Sequence, residues 1–68
     1  MTSPPSKLSD REVEIGRMIV AGVKVEEIAR RLFLSPATVR FHIRILGCKL
    51  PGDGTAMRRI VAFFSRAA

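Results

Sequence analysis

Two arginines and an aromatic residue stand close together in the stretch LSPATVRFHIRIL, which begins at Leu34. Arg40 and Arg44 are four residues apart, and Phe41 lies between them. A guanidinium is a planar fork of N–H donors that can bind a phosphate, or the O6 and N7 atoms of guanine, through two hydrogen bonds. An apolar side chain can contact the methyl group of thymine. The stretch therefore indicates a surface that meets nucleic acid, provided that these three side chains face solvent.

The helical rotation of this stretch predicts that they do. At about 100° per residue, the aliphatic side chains that share one arc of about 60° form the core side: Val39, Ile43, Leu46 and Leu50. A second arc, about 100° wide, projects away from the core and holds Ala37, Arg40, Phe41, Arg44 and Cys48. A helix with this outward face fits the major groove of DNA, which is about 12 Å wide. The alternative is that both arginines are only solvated and that Phe41 packs on a neighbouring helix.

Boundary signals predict four helices and an all-α fold. Ser9 and Glu12 form a capping box that starts a first helix at about residues 10–21. The second helix, about 25–32, has no Ser or Asp cap. Ser35 and Pro36 start the third, about 36–50, because proline at the first helical position loses no backbone hydrogen bond. Pro51, Gly52 and Gly54 separate it from a fourth, about 56–66, capped by Thr55 or Asp53.

The second and third predicted helices are typical of a helix-turn-helix. In that motif the two helices cross through a tight turn, and the second of them lies in the groove. The crossing needs a small residue on the first helix and a branched apolar residue on the second. Ala29 and Val39 meet this need ten positions apart. No segment alternates with the period of two that a strand requires, and residues 1–7 are predicted to be a flexible tail before a single domain at 8–68.

The composition narrows the class of function. The chain has 68 residues and a net charge of +6, and the half from residue 36 onward contributes +5 of it. Such a basic half attracts phosphate backbones or anionic membrane surfaces, although it could also be only a soluble surface. One Cys and one His cannot supply the four ligands of a structural zinc site, and no catalytic constellation is present. We therefore expect no enzyme activity, cofactor, metal or membrane segment, and a cytoplasmic, nucleoid-associated location.

At this point the sequence resembles the LuxR-type helix-turn-helix, also described as GerE-like or FixJ/NarL-like, of bacterial transcription regulators. The stretches LSDREVEI, AG, EEIARRLFLS, TVRFHI and KL align with that family from Leu8 to Leu50 without a gap. The resemblance implies a four-helix DNA-binding domain in which the third helix reads bases and the fourth forms a homodimer. Family positions that touch bases correspond to Arg40, Phe41 and Arg44. Those that meet phosphates correspond to Ser35 and Thr38, and we add Lys24 and Lys49 as backbone contacts.

The sequence also departs from the family pattern. Gly16 and Gly47 replace large aliphatic residues, and the segment after Leu50 fits poorly. In the fourth helix, apolar side chains cover about 160°, wider than the roughly 100° that one core contact needs. The excess predicts a dimer interface, to which we assign Met57, Ile60, Val61 and Phe64. Alternatively, the Phe rings fill the space that the two glycines leave.

The sequence as a whole predicts a transcription regulator that binds specific double-stranded DNA, at an inverted-repeat site if it dimerises. It could be free-standing or the output domain of a longer protein, and it could also contact another regulator or RNA polymerase. One alternative is a promoter reader similar to a sigma-factor region. The other is a protein-interaction module that uses residues 56–66 to sequester another regulator and no longer binds DNA.

Overall fold

The computed structural model describes residues 8–67, and within that range it contains four α-helices and no strand. The helices are α1 (Asp10–Val20), α2 (Val25–Leu32), α3 (Pro36–Lys49) and α4 (Ala56–Ala67). The predicted all-α fold of four helices is confirmed. Three of the predicted ends differ by one residue: α1 and α3 end one residue earlier than expected, and α4 ends one residue later. The predicted tail at residues 1–7 lies outside the described range.

Side-chain caps explain where three of the helices begin. The Ser9 hydroxyl accepts a hydrogen bond from the backbone N–H of Glu12, whose carboxylate accepts one in return from the Ser9 N–H. Ser35 accepts from the Thr38 N–H at the start of α3, and Thr55 from the Arg58 N–H at the start of α4. Each cap satisfies backbone donors that the first turn of a helix leaves without a partner. The start of α2, at Lys24, has no side-chain cap, as the sequence indicated.

The turn between α2 and α3 depends on a residue in the left-handed conformation. Phe33 has φ 58° and ψ 42°. Its N–H donates toward the Arg30 carbonyl, and the N–H of Leu34 donates to the Ala29 carbonyl at 2.8 Å. These bonds form a Schellman motif, in which left-handed backbone redirects the chain at the end of a helix. The motif joins α2 to α3 with only three residues between them.

The core is made of aliphatic side chains from all four helices and one aromatic ring. Its buried members are Ile15, Ile19, Ile28, Ala29, Val39, Ile43, Leu46, Leu50, Ile60 and Phe64. The helices α1, α3 and α4 pack against one another, while α2 packs mainly on α3. Ala29 and Val39, the pair predicted to meet at the helix-turn-helix crossing, are 2% and 0% exposed. The core thus holds the outward face of α3 in a fixed orientation.

Two glycines let α4 approach its neighbours closely. A Cβ atom at Gly16 of α1 would overlap the ring of Phe64, and one at Gly47 of α3 would overlap Ala56. Phe64 therefore fills the space over Gly16, as one of the two sequence hypotheses proposed. Gly47, however, is covered by Ala56 and not by a Phe ring, because α4 begins directly beside it.

A partly buried ion pair joins α1 to α3. The Nζ atom of Lys49 lies 3.0 Å from Oε1 of Glu12, the oxygen that also accepts the Ser9 N–H. Glu12 is 5% exposed. Burial by itself would raise the pKa of this carboxyl, but the hydrogen bond from the Ser9 backbone and the Lys49 ammonium outweigh it, so the pKa lies below its ordinary value. The carboxylate is therefore charged in the folded protein at neutral pH.

Candidate nucleic-acid interface

The outward face of α3 carries the three side chains that the sequence predicted to read bases. Arg40 and Arg44 are exposed, and Phe41 is 57% exposed. On the opposite side of the same helix, Val39 is fully buried and Ile43 is 8% exposed. The Phe41 ring lies edge-on to the neighbouring His42 ring, with 6.3 Å between centroids. The structure thus brings these three residues together on one solvent-facing surface, and Phe41 does not insert into the core.

The two arginines differ in their surroundings. The Nη2 atom of Arg40 lies 3.8 Å from Oε2 of Glu26 on α2, and 61% of the Arg40 side chain remains exposed. Arg44 has no ion-pair partner among residues 8–67. Both guanidinium groups remain accessible to a large anionic partner.

The amino-terminal end of α3 presents hydroxyl and backbone groups beside this face. The Ser35 hydroxyl accepts the Thr38 N–H at 3.1 Å and donates to the Thr38 hydroxyl oxygen at 2.9 Å. Pro36 carries no N–H, so Ala37 provides the first backbone donor of the helix. A helix start of this kind favours a phosphate, because its backbone donors and its dipole both attract negative charge. Ser35 is exposed and Thr38 is partly exposed, so a phosphate could reach both hydroxyls.

The two lysines predicted to contact phosphate are placed differently. Lys24 is exposed at the start of α2, where its side chain makes no capping bond. Lys49 is 31% exposed, and its ammonium binds Glu12. The two lysines therefore occupy different environments, and only Lys24 extends freely from the surface beside α2.

His42 flanks the outward face and Cys48 lies on it, and neither forms a site of its own. His42 is partly exposed and touches Phe41, while Cys48 is an exposed free thiol. Among residues 8–67, no group of three or more His, Cys, Asp or Glu side chains could hold a metal ion. None of the helices in this range is long and apolar enough to cross a bilayer.

The dimer surface predicted on α4 divides into two parts. Ile60 is fully buried and Phe64 is 7% exposed, so both contribute to the core of their own chain and are not available to a partner. For Phe64 the physical reason is Gly16, whose missing side chain leaves the space that the ring fills. Met57 and Val61, four residues apart on α4, remain 40% and 42% exposed. They are the members of the predicted interface that a second molecule could contact.

Sequence reasoning missed two features of this surface. One is the approach of Glu26 to Arg40, which joins two helices and so leaves no periodic signal in the sequence. The other is Phe33, which is 94% exposed in the turn. A large apolar residue four positions beyond Ala29 would be expected to pack inward, and only the left-handed backbone turns it outward. Neither feature follows from the rotation of a single helix.

Comparison with known proteins agrees with this geometry. Residues 6–52 match the model of the family described as bacterial regulatory proteins, luxR family. The chain belongs to the LuxR family of bacterial regulatory proteins. This match confirms the resemblance noted in the sequence. The LuxR-family chain therefore contains a helix-turn-helix of the type that DNA-binding transcription regulators use.

One curated relative of this LuxR-family chain is the nitrate/nitrite response regulator protein homolog of Haemophilus influenzae. The two sequences are 44% identical over 48 residues, a segment that covers 71% of this chain and 23% of the relative. The chain thus spans about a quarter of the length of the relative it matches. No solved structure gives a significant match.

Proposed function

We propose that this LuxR-family domain binds specific sequences of double-stranded DNA with α3 in the major groove. Arg40, Phe41 and Arg44 contact base edges, and the chain acts by binding rather than as an enzyme. One observation carries the proposal: these three side chains face solvent together, while Val39 and Ile43 of the same helix are buried. Two arginines one helical turn apart can each bind guanine O6 and N7, and the Phe41 ring can meet a thymine methyl group.

Phosphate contacts supply most of the affinity in this proposal. Ser35, Thr38 and the start of α3 meet one phosphate, and Lys24 meets another. Lys49 contacts the backbone only if its ammonium binds a phosphate in addition to Glu12. Neutralising phosphates releases counterions, so the affinity for any duplex is expected to fall steeply as salt rises. These contacts fix the register of α3 but carry no sequence information.

A homodimer completes the proposal. Met57 and Val61 form an exposed apolar pair on α4 that a second copy can cover. Two-fold pairing would place the two recognition helices one helical turn of DNA apart, about 34 Å, on an inverted-repeat site. A DNA-bound regulator of this kind works in the cytoplasm at the nucleoid, and contact with RNA polymerase or another regulator is compatible with it.

A selection of binding sites from random duplexes tests this function, followed by anisotropy titrations at several salt concentrations. We expect an enriched site made of two inverted half-sites about 10 base pairs apart, and an affinity that decreases steeply with salt. A protein that enriches no sequence and binds no duplex in dilute buffer would refute the proposal. That result would instead favour a module that binds another regulator through α4.

A further inference from the structure

One carboxylate of α2 lies close to the exposed face of α3 that carries Arg40 and Arg44. Oε2 of Glu26, on the first turn of α2, is 3.8 Å from Nη2 of Arg40. The next residue, Glu27, instead forms pairs with Arg30 at 3.2 Å and Arg31 at 3.0 Å, both on its own helix. The helix dipole favours an acidic residue in this first turn, but it does not account for the contact with a side chain on another helix.

We infer that Glu26 determines specificity by directing Arg40 to a base edge and away from DNA phosphates. The inference rests on the proposed DNA-binding function. A guanidinium offers five N–H donors around a planar fork. Arg40 can therefore keep one edge toward Glu26 while its other edge binds O6 and N7 of guanine. The base edge carries no net charge, so the carboxylate does not oppose this contact.

A phosphate on Arg40 meets a different electrostatic situation. It would place two anions on one cation, with the Glu26 carboxylate only a few ångströms from the phosphate oxygens. Like charges at that separation repel, although solvent reduces the effect because 61% of Arg40 and 67% of Glu26 are exposed. Binding to random DNA depends almost entirely on phosphate contacts. The repulsion between Glu26 and phosphate therefore weakens binding to random DNA more than binding to the specific site.

The Glu14–Arg11 pair provides a matched control for the loss of a carboxylate. Its two charged atoms are also 3.8 Å apart, and its side chains are 49% and 43% exposed. This pair lies within α1 and does not involve the recognition helix. Glu26→Gln and Glu14→Gln therefore make the same change in net charge and break pairs of equal length, and only the first changes the surroundings of Arg40.

The test measures anisotropy of labelled duplexes with wild-type protein and both variants. The probes are a random duplex of about 20 base pairs and the duplex recovered from the site selection. We expect Glu26→Gln to lower the dissociation constant for the random duplex by a factor of roughly two to five beyond the effect of Glu14→Gln. A factor of this size corresponds to the interaction energies measured for exposed ion pairs. Binding to the selected duplex should change less, so the ratio of the two affinities falls. In an Arg40→Ala background, Glu26→Gln should lose this extra effect.

Three results would overturn the inference. Equal tightening by the two Gln variants on both duplexes would mean that Glu26 acts only through net charge. Weaker binding of the selected duplex alone would mean that Glu26 contacts a base itself. An unchanged effect in the Arg40→Ala background would mean that it acts on another group. Wild-type protein that binds neither duplex would refute the proposed function as well. If the wild-type protein binds both duplexes, and Glu26→Gln and Glu14→Gln bind them with equal affinities, only the role of Glu26 is refuted.

Discussion

Phe33 combines two unfavourable features in one residue. Its backbone is left-handed, with φ 58°, and its side chain is 94% exposed. A residue with a Cβ atom has a cost of about 1–2 kcal/mol in this conformation, and an exposed ring contributes no burial that would offset it. The Schellman motif at the end of α2 nevertheless requires this backbone, because the chain must turn here to place α3.

Replacing Phe33 with glycine is therefore expected to stabilise the fold. Phe33→Gly should raise the free energy of unfolding by about 0.5–1 kcal/mol, after the larger conformational freedom of glycine in the unfolded chain is deducted. Urea denaturation measures this change. Phe33→Ala, which keeps the Cβ atom and loses the ring, is the control and should change stability by less than about 0.5 kcal/mol. A loss of stability in both variants would mean that the ring packs on the fold.

Glu12 links the stability of the fold to pH through its charge. Burial alone would raise the pKa of its carboxyl in the folded protein. The hydrogen bond from the Ser9 backbone and the adjacent Lys49 ammonium outweigh burial, so the folded pKa lies below its ordinary value. A group with a depressed pKa stabilises the fold above its unfolded pKa, about 4.3 for glutamate, and this contribution is lost as the pH falls through the folded value.

Glu12→Gln removes the charge but keeps a side chain that can complete the capping box. We expect the variant to lose about 1–2 kcal/mol at pH 7, since hydrogen bonds to a charged group are worth more than neutral ones. The difference from wild type should shrink as the pH is lowered below about 4. Denaturation at a series of pH values measures it, and Glu14→Gln, in an exposed pair, is the control. A difference that stays constant down to pH 2 would contradict the role of the charge.

At the scale of the elements, α4 docks through two glycines on its neighbours. Gly16 receives the ring of Phe64, and Gly47 lies against the Cβ and Cα atoms of Ala56. A ring can turn aside at moderate cost, whereas the backbone of Ala56 is held by the start of α4. The two contacts should therefore respond differently to an added methyl group.

Gly47→Ala is expected to destabilise the fold by about 1–3 kcal/mol through overpacking, although alanine has the higher helix propensity by about 1 kcal/mol. Gly16→Ala should destabilise the fold less than Gly47→Ala does. Because positions 16 and 64 are in contact, Gly16→Ala should also destabilise the fold less in a Phe64→Leu background than in the wild-type protein. Thermal denaturation followed by circular dichroism measures these changes. Gly47→Ala with wild-type or higher stability would show that α3 and α4 are not tightly packed there.

The sequence predicted each element for local reasons, and the arrangement of α4 shows where such reasons end. Caps and proline placed the helix starts, and rotation of α3 separated Val39 from Arg40 correctly. The apolar arc of α4, however, had to be divided between its own core and an outer surface. That division depends on how α4 crosses Gly16, which no single-helix pattern contains. Ile60 and Phe64 therefore lie inside the chain. The contact between Glu26 and Arg40 was also missed, because it depends on how α2 packs against α3.

At the scale of the whole molecule, we predict a dimer whose two copies meet through the exposed side chains of Met57 and Val61. Val61→Glu places a charge beside Met57 on the exposed side of α4 and should give a monomer without loss of thermal stability. Sedimentation measures the mass, and circular dichroism measures the melting. Phe64→Ala is the contrasting variant, since truncating a buried Phe costs about 3–5 kcal/mol and should reduce folding itself. An unchanged mass for Val61→Glu would remove this surface from the proposed dimer.

The central claim is that the outward face of α3 reads DNA bases, and the affinity of Arg44→Ala for two duplexes tests it most directly. Arg44 is exposed and forms no ion pair within residues 8–67, so its loss leaves the fold intact. Arg17→Ala, an exposed arginine on α1, is the control for lost charge. We expect Arg44→Ala to weaken binding to the selected duplex by about 1–3 kcal/mol and to the random duplex no more than Arg17→Ala does. Equal weakening on both duplexes would make Arg44 a phosphate contact and contradict the account.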